Sequence, residues 1–218
     1  MVERQLRGRG IHDEAVLAVM ATLPRDLFVP PDMLPYAYAD DALPIAAGQS
    51  ISQPWMVARM TELLEPRPNM RVLEVGTGSG YQAAVLAQLG CTVVSVERHA
   101  ELADAARTRL DELGLDDRIR VVVGDGSVGR PEDAPFDAIV VTAAAPVIPP
   151  ALPGQLVDGG RLVVPVGKWQ RQELVLIVRH GEAFERRDCG ACVFVPLIGE
   201  SGFAEEATRR HRWPGPLL

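Results

Sequence analysis

A glycine-rich stretch comes directly after a short apolar run and reads Glu74-Val-Gly76-Thr-Gly78-Ser-Gly80. Glycines permit a tight turn and let a ligand approach the backbone, and a helix that follows such a turn presents free N–H groups at its start. An acidic residue, Glu97, ends the next apolar run about 20 residues later, where a carboxylate typically holds a ribose diol. Together the two features predict a site for a cofactor that contains a nucleoside.

The spacing of this loop argues against two common nucleotide motifs. A dinucleotide site has the pattern G-x-G-x-x-G, which requires glycine at position 81, but the chain has Tyr81 there. A P-loop requires Gly-Lys-Ser/Thr at its end, and no such triplet follows the glycines. The cofactor is therefore expected to be neither a dinucleotide nor a nucleotide held by a P-loop.

Two later strand ends carry further candidate residues. The third predicted strand ends in the sequence GDG at residues 124–126, where Asp125 either contacts a ligand or makes an ordinary turn. The fourth is followed by TAAAP at residues 142–146, whose small side chains either let a peptide-like substrate approach or pack the loop. Both pairs of alternatives stay open at this point.

Apolar, β-branched runs alternate with helical patterns from residue 71 onward. The predicted strands are Arg71–Val75, Thr92–Glu97, Ile119–Val123, Asp137–Val141 and Arg161–Val166. Helices are predicted over 81–90 and Ala100–Leu113, where glycines mark the ends. This alternation predicts an α/β fold with a doubly wound, mostly parallel, Rossmann-like sheet. Two later runs, Glu173–Arg179 and Cys192–Leu197, are expected to close the sheet as an antiparallel pair.

The chain before this sheet predicts a helical extension. Asp13 is placed to cap a helix through Met20, and Pro54 is placed to begin a helix that runs to Leu64, with proline-broken loops between the two. We expect one domain made of an N-terminal extension (1–66), a cofactor-binding core (67–202) and a C-terminal tail (203–218).

The composition narrows the partners that we expect. A formal net charge of −7 over 218 residues argues against nucleic-acid binding, which depends on clustered Lys and Arg. No apolar run approaches the ~18 residues that span a bilayer, and the charged start of the chain lacks a secretory signal, so we expect no membrane partner and a cytoplasmic location. Three cysteines and four histidines show no zinc-ligand spacing, although Cys189 and Cys192 form a CxxC pair. We expect reduced thiols, no metal and a monomer.

The sequence VLEVGTGSG resembles the first motif of the class I S-adenosylmethionine-dependent methyltransferases. The resemblance implies a methyltransferase sheet with S-adenosyl-L-methionine as cofactor. It implies that Gly76–Gly80 line the methionine and ribose part, that Glu97 holds the ribose hydroxyls and that Asp125 meets the adenine amino group. The residues expected at the cofactor are Glu74, Gly76, Thr77, Gly78, Ser79, Gly80, Glu97, Arg98, Asp125, Gly126 and Thr142.

Further motifs lie on both sides of the glycine loop and read GQSISQPWM, GDGSVG, FDAIVVTAAAP, LVDGGRLVVPVG and FVPL. In this order they closely resemble the protein-L-isoaspartate O-methyltransferase family over roughly residues 1–200. The resemblance implies methyl transfer to the free α-carboxylate of L-isoaspartyl residues in damaged proteins and peptides, which begins repair through a succinimide. It also implies that Ser52 is the active-site residue. The residues expected at the substrate are Ser50, Ile51, Gln53, Pro54, Val195 and Pro196.

Two other functions stay open. Trp55 stands near a position where bacterial members of the family usually have Tyr or His, and a larger site wall would suit a carboxyl methyltransferase dedicated to one peptide. The second alternative is a cofactor-binding domain that has lost turnover. Labelling of a generic isoaspartyl peptide would distinguish the repair enzyme from both.

Overall fold

The computed structural model describes residues 1–168 and 171–205. Its N-terminal part consists of short 3-10 and π turns, two α-helices and a small hairpin. These are α1 (Glu14–Thr22), β1 (Leu43–Pro44), β2 (Ser50–Ile51) and α2 (Pro54–Leu64). Helix α1 begins where predicted because the Asp13 carboxylate accepts hydrogen bonds from the N–H groups of Ala15 and Val16. Helix α2 has the predicted bounds, whereas the hairpin was not predicted.

The central sheet follows this extension. Its strands and helices are β3 (Arg71–Val75), α3 (Tyr81–Gln88), β4 (Thr92–Glu97), α4 (Ala100–Glu112), β5 (Ile119–Val123), β6 (Phe136–Val141), β7 (Leu156–Lys168), β8 (Arg171–His180) and β9 (Ala183–Cys192). The strand order is β5-β4-β3-β6-β7-β8-β9, in which the first five strands are parallel and the last two are antiparallel to their neighbours. The predicted α/β, mostly parallel, Rossmann-like sheet is confirmed.

The strand order reverses between β3 and β6. From β3 the chain adds β4 and β5 on one side, and it then crosses over to add β6 and β7 on the other. The N–H of Thr142 donates to the carbonyl oxygen of Val75 at 2.9 Å, so the loops after β3 and β6 start side by side. The crevice outside the carboxyl ends of strands at such a reversal is where open α/β sheets bind ligands.

The two faces of the sheet are covered differently. Successive strand residues point to opposite faces, so that Val72 packs with α1, α2 and α3, whereas Leu73 belongs to a second apolar cluster. The described members of that second cluster come from strands and from irregular connections, such as Leu152 between β6 and β7. The N-terminal extension is therefore part of the apolar core on one face of the sheet, beside the ends of the strands.

The last strand differs from the prediction. The predicted strand Cys192–Leu197 is wrong, because β9 ends at Cys192 and consists of the residues before it, four of which are charged. A tight turn joins β8 to β9, with Gly181 in the left-handed conformation at φ +61° and His180 paired with Ala183. Nearly all residues of β9 are exposed, so backbone pairing with β8 determines where the strand lies. The sequence of such a strand shows no apolar pattern from which it could be predicted.

The apolar segment after β9 lies across the end of the sheet. Pro196 has no N–H to donate to a ladder. The N–H of Ala144 donates to Val195 at 2.8 Å, and the N–H of Leu197 donates back to Ala144 at 2.7 Å. Residues 194–197 therefore run beside the loop that follows β6.

Most of the predicted tail, from residue 206 onward, lies outside the described residues. In the part of the chain that is described, no helix has both the length and the apolar character that a membrane crossing requires.

Candidate active site

A cavity of about 910 Å³ lies at the carboxyl ends of the central strands, within the size range of small-molecule sites. It brings together the loops after β2, β3, β4, β5 and β6 and the segment after β9. The predicted residues that line it are Ser50, Ile51, Ser52, Gly76, Thr77, Gly78, Ser79, Glu97, Arg98, Gly126, Thr142, Val195 and Pro196. Residues predicted separately for the cofactor and for the substrate thus share one cavity.

Gly76 occupies a position that requires glycine. Its φ is +98°, and a Cβ at this position would collide with the Oγ1 atom of Thr142. That hydroxyl lies 2.5 Å from the carbonyl oxygen of Gly76 and 3.1 Å from that of Val75, and it donates to them. Thr142 thereby fastens the glycine loop to the end of β6 and explains why a small hydroxylated residue follows that strand.

Backbone N–H groups of the protein hold the carboxylate of Glu97 in place. Its Oε2 atom accepts a hydrogen bond from Gly78 at 2.9 Å, and its Oε1 atom accepts one from His99 at 3.0 Å. The side chain is 5% exposed and lines the cavity at the end of β4. Because each carboxylate oxygen can accept more than one hydrogen bond, both keep capacity for a diol. The geometry fits the predicted contact with ribose hydroxyls.

Glu74 lies behind the glycine loop and is not among the described residues that line the cavity. It is fully buried and accepts a hydrogen bond from the Ser95 hydroxyl, which in turn lies 2.5 Å from the hydroxyl of Thr77. Burial raises the pKa of Glu74 to about 8, so the side chain is mostly a neutral acid at pH 7. The structure gives Glu74 a supporting position under the loop, and direct contact with the cofactor stays a prediction.

Asp125 lies between two lining residues, Gly124 and Gly126, but is not itself among the described residues that line the cavity. Its Oδ1 atom accepts from the N–H of Ser127 and its Oδ2 atom from the N–H of Glu200, both at 2.8 Å. Desolvation alone would raise the pKa of Asp125, but the bonds from Glu200 and Ser127 outweigh it and hold the pKa below its ordinary value. Asp125 therefore caps the turn that follows β5, which does not test its contact with adenine, and that contact stays a prediction.

Three other predicted residues start helices and are not among the described lining residues. Gly80 precedes α3 in the left-handed conformation, at φ +88°. Gln53 and Pro54 are the N-cap and first residue of α2. Gly80 therefore ends the loop that bears Ser79, and Gln53 and Pro54 end the segment that bears Ser52.

The hypothesis that Trp55 enlarges the wall of the site is wrong. Its ring nitrogen donates to the carbonyl oxygen of Arg9 at 3.2 Å, and the Arg9 guanidinium lies 4.6 Å from the ring centroid. Its backbone N–H donates to Asp40 at 2.9 Å. Trp55 is not among the described residues that line the cavity, and it instead joins the start of α2 to the N-terminal segment.

Ser52 lies between β2 and α2 and lines the cavity. Its carbonyl oxygen accepts a hydrogen bond from Arg25 at 2.8 Å, while its Oγ atom has no hydrogen-bond partner among the described residues. The hydroxyl is therefore available to a ligand.

The wall that includes Val195 is held by Ala144, which is fully buried, so the packing role proposed for the small residues after β6 is confirmed for this alanine.

The sequence analysis did not predict several of the residues that line the cavity, among them Tyr81, Gln82, His99, Lys168, Arg171 and Gln172. Tyr81 and Gln82 begin α3 directly after the glycine loop, so their position in the chain could have identified them. Lys168 and Arg171 face each other at the end of the β7–β8 hairpin, and only the order of strands brings that hairpin to the site.

Comparison with known proteins places most of the chain in one family. The family model for protein-L-isoaspartate(D-aspartate) O-methyltransferase matches residues 1–202. The protein-L-isoaspartate O-methyltransferase of Methanoculleus marisnigri is 55% identical over 208 residues, covering 95% of this chain and 94% of that protein. The corresponding enzyme of Methylorubrum populi is 55% identical over 205 residues, covering 94% and 96%.

Solved structures show the same similarity. A protein-L-isoaspartate O-methyltransferase aligns with a TM-score of 0.81 and 29% identity over 96% of this chain and 70% of its own. A beta-aspartate methyltransferase from Plasmodium falciparum, solved in complex with S-adenosyl-L-homocysteine, aligns with a TM-score of 0.78 and 25% identity over 90% of this chain and 96% of its own.

Proposed function

The chain belongs to the protein-L-isoaspartate(D-aspartate) O-methyltransferase family, and we propose that the cavity between Ser52 and the glycine loop is its active site. The family reaction is the S-adenosyl-L-methionine-dependent methylation of L-isoaspartyl residues in damaged proteins and peptides. One observation supports the proposed site most directly: a single cavity joins Ser52, from the segment before α2, to the glycine loop and to Glu97 at the ends of β3 and β4.

The residues on the cofactor side fit S-adenosyl-L-methionine. Glu97 offers a carboxylate already oriented by two backbone N–H groups, and the glycines leave the backbone of Gly76–Ser79 open to the cavity. Arg98, Gly126 and Thr142 complete this side. When bound, this cofactor supplies a methyl group on a positively charged sulfur, which is an activated electrophile.

The acceptor is the free α-carboxylate of the isoaspartyl residue, and it needs no general base. A carboxyl group with a pKa of about 3.5 is already an anion at neutral pH. Ser52 donates a hydrogen bond that orients the carboxylate and leaves its negative charge in place. An arginine paired with the carboxylate would instead reduce its nucleophilicity. The protein contributes alignment of the acceptor oxygen and exclusion of water by apolar walls that include Val195 and Pro196.

The product supports repair by its own chemistry. In the methyl ester, the methoxy group leaves more readily than the oxygen of a carboxylate. The backbone nitrogen that follows can then attack the ester carbonyl, and methanol leaves as the succinimide ring closes. Hydrolysis of the ring opens it either to normal aspartate or back to isoaspartate, which can be methylated again.

The partners are therefore isoaspartyl-containing proteins and peptides, and we infer that nucleic acids and membranes are not among them. The net charge of −7 supports this for nucleic acids. We also infer a monomer in the cytoplasm, where its three cysteines, all free in the structure, would stay reduced. Light scattering after size exclusion tests the oligomeric state.

The activity is tested with radiolabelled S-adenosyl-L-methionine and a matched pair of peptides. We expect base-labile methyl ester on a peptide that contains isoaspartate and none on its aspartate twin. Equal labelling of both peptides would refute the specificity for isoaspartate. Binding of the cofactor without labelling of either peptide would instead indicate a domain without turnover, or an enzyme dedicated to another substrate.

A further inference from the structure

Arg25 is a fully buried side chain in the N-terminal extension, within the 3-10 turn Arg25–Phe28. Its Nε atom donates to the carbonyl oxygen of Ala37 at 2.8 Å, and its Nη2 atom donates to the carbonyl oxygen of Ser52, also at 2.8 Å. One guanidinium thus fixes the position of Ser52 relative to the segment that contains Ala37.

The same guanidinium also contacts the cofactor side of the site. Its central carbon lies 4.8 Å from the ring centroid of Tyr81, the first residue of α3 and a lining residue of the cavity. The Tyr81 ring packs edge-on against Phe28, with 5.1 Å between centroids. Arg25 therefore lies between the segment that bears Ser52 and the helix that begins directly after the glycine loop.

Arg25 is a buried cation whose partners are backbone carbonyl groups. Burial lowers the pKa of Arg25 to about 10, so the group is still cationic at pH 7. Its two hydrogen-bond acceptors are carbonyl oxygens, and no carboxylate among the described residues forms a salt bridge with it. A buried ion pair can often be replaced by apolar residues of similar volume without loss of stability, and Arg25 does not even form such a pair among the described residues. What an apolar residue cannot supply is a rigid fork of donors aimed at two carbonyl groups.

Building on the proposed function, we infer that Arg25 is a positioning residue that sets Ser52 for the substrate carboxylate. Ser52 lies between a two-residue strand and Pro54, outside regular structure, so its backbone is held by few local bonds. Arg25 holds the carbonyl group of Ser52 and leaves the hydroxyl available to the substrate. A displacement of about 1 Å at a reacting group can lower a rate on the order of 100-fold.

Arg109 provides a matched contrast on the cofactor side. Its Nη1 atom donates to the carbonyl oxygen of Ser79 in the glycine loop at 2.8 Å, and its guanidinium lies 5.7 Å from the ring centroid of Phe28. Both arginines therefore hold a loop carbonyl and contact the Phe28–Tyr81 pair, but they hold opposite sides of the site. We expect Arg109→Met to weaken cofactor binding, and Arg25→Met to impair use of the peptide.

The test is a double-mutant cycle of Arg25→Met and Ser52→Ala, assayed with an isoaspartyl peptide. Because hydrogen bonds to charged groups contribute about 1.5–3 kcal/mol, Arg25→Met should lower kcat/KM for the peptide roughly 10- to 100-fold. The affinity for S-adenosyl-L-homocysteine, measured by calorimetry, should stay close to that of the wild type. If Arg25 acts through Ser52, the double variant should be no slower than Ser52→Ala alone.

Three results would overturn the inference. They are additive losses in the cycle, equal losses of peptide use and cofactor affinity in Arg25→Met, and a folded Arg25→Met variant with wild-type kcat/KM. If Arg25→Met does not fold, Arg25→Lys enters the same cycle, since it keeps the charge and loses the fork; its kcat/KM should again fall only where Ser52 is present. A wild-type protein that fails to methylate the isoaspartyl peptide would refute the proposed function, whereas an active wild type with an unaffected variant refutes only the role of Arg25.

Discussion

The hydroxyl of Thr142 lies 2.5 Å from the carbonyl oxygen of Gly76, and this contact joins the two loops between which the strand order reverses. It leaves no room for a side chain at position 76, where φ is +98°. The cofactor loop is therefore shaped by a residue that follows a strand far along the chain, as well as by its own glycines.

Gly76→Ala is expected to abolish binding of S-adenosyl-L-homocysteine, because its Cβ would displace Thr142 and strain the loop. Calorimetric titration measures the loss. Gly154→Ala is the control, since a Cβ there meets nothing within 4 Å and its φ lies outside the left-handed range. Wild-type affinity in Gly76→Ala would show that the loop adapts without the Thr142 contact.

Glu97→Gln should weaken cofactor binding about 10- to 100-fold, in line with the loss of charged hydrogen bonds. The new amide NH₂ would face either the N–H of Gly78 or that of His99, so it also removes one of the bonds that orient the side chain. Glu101→Gln, on the exposed face of α4, should bind as the wild type does. If the two variants bind the cofactor with equal affinity, Glu97 does not bind the ribose.

Ser52→Ala should lower peptide kcat/KM by about 10- to 100-fold, the range of a hydrogen bond to a charged group, and leave cofactor affinity nearly intact. Steady-state kinetics with an isoaspartyl peptide and calorimetry with S-adenosyl-L-homocysteine separate the two effects. Thr108→Ala, which removes an exposed hydroxyl on α4, is the control. A loss of cofactor binding in Ser52→Ala would assign Ser52 a different role.

Glu74 should make the protein less stable at alkaline pH. Burial raises its pKa to about 8 in the folded state from 4.5, so the folded protein keeps a proton that the unfolded chain has lost. The stabilisation is fully present below pH 4.5 and is lost as the pH rises through about 8. Glu74→Gln cannot ionise, so its Tm relative to wild type should increase between pH 5 and pH 9. A Tm difference that stays constant between pH 5 and pH 9 would contradict a raised pKa of Glu74.

Trp55→Phe should lower stability without changing catalysis. It removes the hydrogen bond to Arg9 and weakens the contact between that guanidinium and the ring, a loss on the order of 1 kcal/mol. Thermal unfolding measures the first effect, and kcat/KM on several isoaspartyl peptides measures the second. A change in the preference among these peptides would indicate that Trp55 contributes to the substrate site.

The α-helices, the strands β3 to β8 and the cofactor loop followed from local rules in the sequence. The capping by Asp13, the start of α2 at Pro54 and the bounds of β3 depend on residues within a few positions of one another. The acidic end of β4 was likewise visible as Glu97. The resemblance to a known family added Ser52, which no periodicity or spacing of the chain would have selected.

Tertiary structure decided the features that depend on contacts between distant segments. The sequence contains no signal for the hydrogen bond from Arg25 to Ser52. It also does not indicate that Trp55 lies outside the cavity or that Glu74 lies behind the glycine loop. The exposed edge strand β9 was missed because backbone pairing places it, and the apolar residues after it instead form the wall at Val195. Periodicity reports which residues are buried, whereas only the folded chain shows what they are buried against.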